Sequence, residues 1–129
     1  MQLPEPAEPR SNGAALNFMN TFLRGNRDNT PRVQSGSILQ QLYLMNDAFT
    51  VTRAKKAASP ALQAVSKLSS SDAVVEELFL LFLSRKPYDY ERERAVAFLA
   101  RAATPAARDV AIEDLAWACM NKVDFLFSY

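Results

Sequence analysis

Carboxylates are the main reactive side chains of this sequence. It holds 14 Asp and Glu residues, one cysteine and no histidine. The commonest metal ligand, which is also the side chain most used as a general base near neutral pH, is therefore missing. The first enzymatic idea is a glycosidase-like acid and base pair, which must flank a substrate ~5–9.5 Å apart with the pKa of one member raised. Asp109 and Glu113 stand four residues apart on one helix face and approach that separation. They also lie in the first half of a helix, where negative charge complements the helix dipole, and that is the simpler explanation. Glu76 and Glu77 interrupt the most apolar stretch of the chain. They read as solvent-edge residues of a first helical turn, or as members of a partly buried ion pair with an arginine such as Arg53 or Arg101.

Nucleophilic chemistry has little support. A Ser or Cys nucleophile needs a base within hydrogen-bond reach, and without histidine only lysine or carboxylate is left. Cys119 lies among Trp117, Ala118 and Met120 in a core-facing helix and reads as an inert buried thiol. A single cysteine also leaves no intrachain disulfide and no Cys-x-x-Cys-His haem attachment. No Gly-rich phosphate loop is present, and the possible metal ligands are unclustered carboxylates. Trp117 and Tyr129 are candidates for a sugar-stacking platform, with core packing the plainer reading. The formal charge is +1, but residues 1–69 carry eight Lys and Arg against four Asp and Glu, and residues 70–129 seven against ten. Arg24, Arg27, Arg32, Arg53, Lys55 and Lys56 are the candidate nucleic-acid contacts. They make a short run and not the concentrated stripe such domains show, so nucleic acid is not favoured as a partner.

The elements that must position these residues are helices. The stretch Asp72–Pro87 reads DAVVEELFLLFLSRKP, and between Val74 and Leu83 only Glu76 and Glu77 are polar. A helix so apolar belongs in the middle of a bundle. Lys86-Pro87 closes it, since the residue before proline is pushed out of the α region. Earlier, Ala15, Leu16, Met19, Phe22 and Leu23 recur at helical steps after an arm containing Pro4, Pro6 and Pro9. Residues 25–36 are a polar, aperiodic, basic loop. Ile38, Leu42 and Met45 then mark a helix face, Asn46-Asp47 interrupts it, and a short helix over 48–57 follows. Ser59-Pro60 and Thr104-Pro105 are start signals, a capping hydroxyl before a proline at the first helical position. Val96, Phe98, Leu99 and Ala102 give the core face of a helix opened by Asp89, in which Glu91 and Arg94 form a surface pair. Ala111, Leu115 and Ala118, with Val110 and Trp117 beside them, face the core from the last long helix. The expected fold is all-α: a compact orthogonal bundle of about five to six helices, with an extended Pro-rich arm over residues 1–12, one helical domain over 13–129 and an aromatic C-terminal tail. The longest apolar run, Leu78–Leu83, falls far short of the ~20 residues a bilayer span needs.

Three separated segments carry a family resemblance. Ser37, Gln40, Leu42 and Asn46 fit a Ser-x-x-Gln-x-Leu-x-x-x-Asn helix; Leu83, Arg85 and Pro87 fit a Leu-x-Arg-x-Pro turn; and Leu115, Trp117, Ala118, Asn121, Asp124 and Phe125 fit a closing motif. Over residues 35–129 the chain resembles the domain-of-unknown-function family numbered 1553, the C-terminal helical domain of planctomycete and acidobacterial cytochrome-like secreted proteins. The Arg27-Asp28 loop shares the likeness more weakly. The resemblance implies a non-catalytic interaction or accessory module of a larger exported protein. Its location would be periplasmic or extracellular, its partners the other domains of the parent or a separate protein, and its surroundings those of polysaccharide breakdown. The family's haem motif lies upstream, so no cofactor is expected in this chain. Arg27, Asp28, Gln40, Asn46, Arg85, Trp117 and Asn121 are the candidate partner or structural-motif residues, with Arg85 expected to bond helix-end carbonyls or a neighbouring carboxylate. A carboxylate-based carbohydrate-active enzyme or sugar-binding module is the alternative function, and weak nucleic-acid binding the second.

Overall fold

A computed structural model describes residues 13–22 and 38–126. All regular structure among them is helical: eight α-helices, six of them of six or more residues, and two 3-10 turns. The all-α expectation holds. The chain divides into two compact units, residues 1–50 and 51–129. The Pro-rich arm, the 25–36 loop, Leu23, Ser37 and the last three residues lie outside the described residues.

In the first unit, α1 (Gly13–Thr21) and α2 (Ile38–Asn46) are held by aromatic rings. Phe18 stacks on Phe22 with centroids 4.6 Å apart and lies 5.9 Å from Tyr43 and 5.5 Å from Phe49. Offset and edge contacts of this kind add to the area the rings remove from water. The face built on Ala15, Leu16 and Met19 omits Phe18, which is the hub. Asp47 ends α2 and starts α3 (Ala48–Val51), its Oδ1 accepting from the Phe49 N–H at 2.8 Å. Ile38, Leu42 and Met45, expected to face the core, are exposed, and α2 buries Gln40 and Leu44 instead.

The expected helix over 48–57 breaks after Val51 into 3-10 turns at Thr52–Ala54 and Lys56–Ala58, with Lys55 extended between them. The cause is visible at Lys56. Its N–H donates to Glu113 Oε1 at 2.8 Å, so the helical ladder loses that donor to a side chain.

The second unit is organised around α5 (Ser71–Leu83), which packs against α4 (Pro60–Val65), α6 (Asp89–Leu99), α7 (Pro105–Met120) and α8 (Val123–Leu126). Its Val74, Val75, Leu78, Phe79 and Leu83 meet Leu62 and Val65 of α4, Ala95 and Leu99 of α6, and Ala111, Ile112, Ala116, Cys119 and Met120 of α7. The stretch is central, as its composition requires, although Leu80 and Leu81 look outward. Both Pro start signals work: Ser59 Oγ accepts from the Leu62 N–H and Thr104 Oγ1 from that of Ala107. Ser70 caps α5. The helix does not run to Lys86-Pro87. It stops at Ser84, whose φ of 54° is left-handed and whose N–H still bonds the Leu80 carbonyl. The buried stripe of α7 is also rotated from the expected one, since Val110 and Ala118 are exposed while Ile112 and Ala116 are not.

Candidate functional site

The left-handed turn at Ser84 delivers Arg85 into a cluster of four charged side chains in the second unit. Arg85 grips Glu91 with both arms of its guanidinium, at 2.8 and 3.0 Å. The same group donates to Asp124 Oδ2 at 2.6 Å and to the Lys86 carbonyl at 3.0 Å. Its charged carbon sits 4.4 Å from the Tyr88 ring centroid and 5.5 Å from that of Phe79, close enough for cation–π attraction. Glu91, in the first turn of α6, is buried and also accepts from Lys122 Nζ at 2.8 Å and from the Tyr88 N–H at 2.9 Å. That last bond is half of a capping box, so one carboxylate starts a helix and anchors two cations.

The electrostatics follow from this geometry. The bidentate Arg85 fork, helped by Lys122 and the Tyr88 N–H, outweighs desolvation and holds the Glu91 carboxyl down at about 2. Glu91 in turn holds Arg85 and Lys122 more firmly protonated than usual. Two cations and two carboxylates neutralise one another while joining the α5–α6 turn, α6 and the junction of α7 with α8. Phe125 packs near Phe82, with centroids 6.4 Å apart, and seats the apolar side of α8. A general acid needs a raised carboxyl pKa. Glu91 is displaced the opposite way, and so is Glu76, lowered chiefly by its bond to Lys86.

Of the two readings of Glu76 and Glu77, Glu77 is at the solvent edge, while Glu76 is half-buried and paired, not with Arg53 or Arg101 but with Lys86 and Arg92, because the α5–α6 turn brings those cations back along α5. The expected Glu91–Arg94 surface pair also fails, since Glu91 turns inward to Arg85 and Lys122. Asp109 bonds Lys56 Nζ at 2.7 Å, while Glu113 bonds Lys55 Nζ at 3.0 Å and the Lys56 N–H. These carboxylates are a clasp between α7 and the 3-10 turns, which also occupies two cations once read as nucleic-acid contacts. Arg24, Arg27 and Arg32 lie outside the described residues, as does Asp28.

The motif residues meet only in part. Arg85 and Asp124 come together across 39 residues, and Asn121 Nδ2 donates to the Trp117 carbonyl at 2.8 Å, closing α7. Gln40, in the first unit, donates to the Thr21 carbonyl at 3.2 Å, and Asn46 bonds the Leu42 carbonyl of its own helix. Sequence reasoning missed Glu91 and Lys122 as members of the cluster. With Tyr88 and not a serine or threonine at the cap position, the spacing carried no capping-box signal for Glu91.

Two clefts open beside these clusters. One, of about 200 Å³, is lined by Val51, Ala54, Lys55, Glu113, Asp114 and Trp117. The other, of about 350 Å³, runs between α6 and α7 over Phe79 and Cys119. Burial pushes the Cys119 thiol up to about 11, so it is a protonated, apolar part of that floor. Among the described residues no three His, Cys, Asp or Glu side chains are grouped to hold a metal ion. None of the described helices is long and apolar enough to cross a membrane.

A family model described as PSD1, protein of unknown function (DUF1553), matches residues 8–99. The match takes in Ser37–Asn46 and Leu83–Pro87 but stops before the closing motif at Leu115–Phe125. No curated protein and no solved structure matches the chain.

Proposed function

The chain belongs to the PSD1 family of unknown function, DUF1553, and from that premise we propose that it is a non-catalytic helical module docking onto the other domains of a larger exported, cytochrome-like protein. The observation that carries this reading is the apolar row on α2. Ile38 is 81% exposed, Leu39 73%, Leu42 49% and Met45 38%. Ile38, Leu42 and Met45 recur at the spacing of one helix face, the pattern by which an amphipathic helix enters a hydrophobic groove. On α1, Leu16 and Phe22 are half-buried by comparison. The carboxylate clusters support the non-catalytic half of the proposal, because their charges are spent on neighbouring cations. The test is the coding sequence ahead of Met1 together with a binding measurement. A continuous frame encoding a haem-binding region, which in isolation captures this chain but not its Leu42→Asp variant, supports docking. An in-frame stop codon directly before Met1 overturns the parent-protein reading.

The smaller cleft favours a second reading, sugar binding. Trp117 lines it together with the Glu113 and Asp114 carboxylates, an indole among hydrogen-bonding planar groups. Trp117 is the chain's single tryptophan, so its fluorescence reports directly on titration with soluble oligosaccharides. An unchanged spectrum at millimolar sugar removes this alternative.

A further inference from the structure

The groove between α6 and α7 has a composition that the docking proposal does not use. Tyr90, Arg94 and Phe98 stand at four-residue intervals and form one stripe along α6. Leu115, Ala118 and Cys119 form the facing stripe on α7, with Lys122 just beyond its end, and Phe79, Glu91 and Ala95 complete the lining. The room exists because Ala118, an exposed position, carries only a methyl group. At about 350 Å³ the groove falls at the lower end of small-molecule sites, ~300–1,000 Å³, and its lining is mostly apolar as theirs is.

The charges at its edge are asymmetric. Glu91 is the groove's one carboxylate, and both its oxygens are already filled by Arg85, Lys122 and the Tyr88 N–H. A ligand cation would have to displace one of those partners. Arg94 is exposed and forms no ion pair among the described residues, although it lines the groove midway along the α6 stripe. An anion would therefore find a free guanidinium with five donors next to an apolar floor. Lys122, shared with Glu91, adds positive potential at one end.

We propose that this groove binds a small monocarboxylate with an aliphatic or aromatic body, the carboxylate on Arg94 and the body over Phe79, Phe98, Leu115 and Cys119. The uncharged Cys119 thiol suits that role, since a thiolate there would repel the ligand. Binding needs no cavity to open and leaves the Arg85–Glu91 cluster intact.

The experiment titrates octanoate, octanol and octylammonium into the isotopically labelled full chain and follows backbone amide shifts. Octanoate is expected to move resonances of Tyr90–Leu99 and Leu115–Lys122, binding about tenfold more tightly than octanol, the loss of one charge-assisted contact. Octylammonium should bind no better than octanol. Arg94→Gln, at an exposed position, should equalise octanoate and octanol, and Ala118→Trp should abolish both by filling the groove. Equal affinity of octanoate and octanol for the wild-type chain would overturn the proposal, as would shifts confined to other regions. Circular dichroism and an unchanged melting temperature establish that each variant is folded. None of these outcomes depends on a docking partner, so the groove and the α2 face succeed or fail separately.

Discussion

Two charge clusters in the second unit use the same ingredients, two cations and two carboxylates, to tie α7 or its C-terminal end to earlier parts of the chain. In the Arg85–Glu91–Lys122–Asp124 cluster the central carboxylate has a side-chain exposure of 6% and meets a planar guanidinium on both oxygens. In the Lys55–Lys56–Asp109–Glu113 cluster the Lys56 and Asp109 side chains are each 36% exposed and meet through one ammonium. Burial raises the desolvation cost of the first cluster, and its geometry recovers that cost by filling the carboxylate's acceptor sites. The Lys56–Asp109 pair avoids the cost and contributes correspondingly less, while Glu113, with 16% of its side chain exposed, stands between the two cases. The first cluster has three ion pairs and the second two, and each has one carboxylate with both oxygens bonded; what separates them is the burial of Glu91 and the guanidinium fork that grips it.

The largest effect should come from Glu91→Gln, which leaves Arg85 and Lys122 without their shared partner and weakens the start of α6. A loss of about 3 kcal/mol is expected in urea denaturation, at the lower end for breaking a buried pair because Asp124 still serves Arg85. A loss below about 1 kcal/mol would place Glu91 among ordinary surface pairs and erase the contrast.

Acid should expose the same difference. The folded-state pKa of Glu91 is lowered from 4.5 to about 2. Between these values the unfolded chain binds a proton that the folded chain refuses, so stability falls as pH drops through that window. Above pH ~4.5 the contribution is complete. Between pH 5 and 2 the wild-type chain should lose on the order of 2–3 kcal/mol more than Glu91→Gln. Parallel stability curves for the two proteins would mean that Glu91 is not specially held.

Within the weaker cluster, Glu113 should matter more than its ion pair suggests. Its Oε1 accepts from the Lys56 backbone N–H, the donor withdrawn from the helix ladder. Glu113→Ala strands that donor and should cost about 1–2 kcal/mol. Most of the loss should persist in 1 M salt, because a backbone donor in need of an acceptor is not screened as an ion pair is. A loss that vanishes with salt would assign the whole effect to Lys55.

This division between local and relational features also explains what could be read from the sequence. Ser59-Pro60, Thr104-Pro105 and the apolar run Val74–Leu83 announce themselves within a few residues, and the helices they mark are there. The Arg85 motif left helix-end carbonyls and a neighbouring carboxylate both open, and Glu91 and Asp124 were beyond choosing, since the pairing depends on how the turn at Ser84 aims the side chain. Ser84 itself gave no warning, because left-handed backbone is usually signalled by glycine. On α7 the stripe through Ile112 and Ala116 and the stripe through Leu115 and Ala118 are both apolar. Sequence periodicity finds two faces there, and contacts with α5 decide between them. The break after Val51 was illegible for the same reason, its cause being Glu113, 57 residues away from Lys56.

The smallest effect should be that of Asp109→Asn. Asp109 bonds Lys56 Nζ at 2.7 Å, about as short as any ion pair in the second unit. Distance is a poor guide here. Both partners are partly solvated, the lysine stem must be ordered to hold the contact, and water competes for each charge, so the expected cost is under ~0.5 kcal/mol at low salt and nil in 1 M salt. A double-mutant cycle with Lys56→Met isolates the pair from any effect of Asp109 on the α7 dipole. A coupling above about 1 kcal/mol would put this pair beyond ordinary surface pairs, and solvation would no longer explain the contrast between the two clusters.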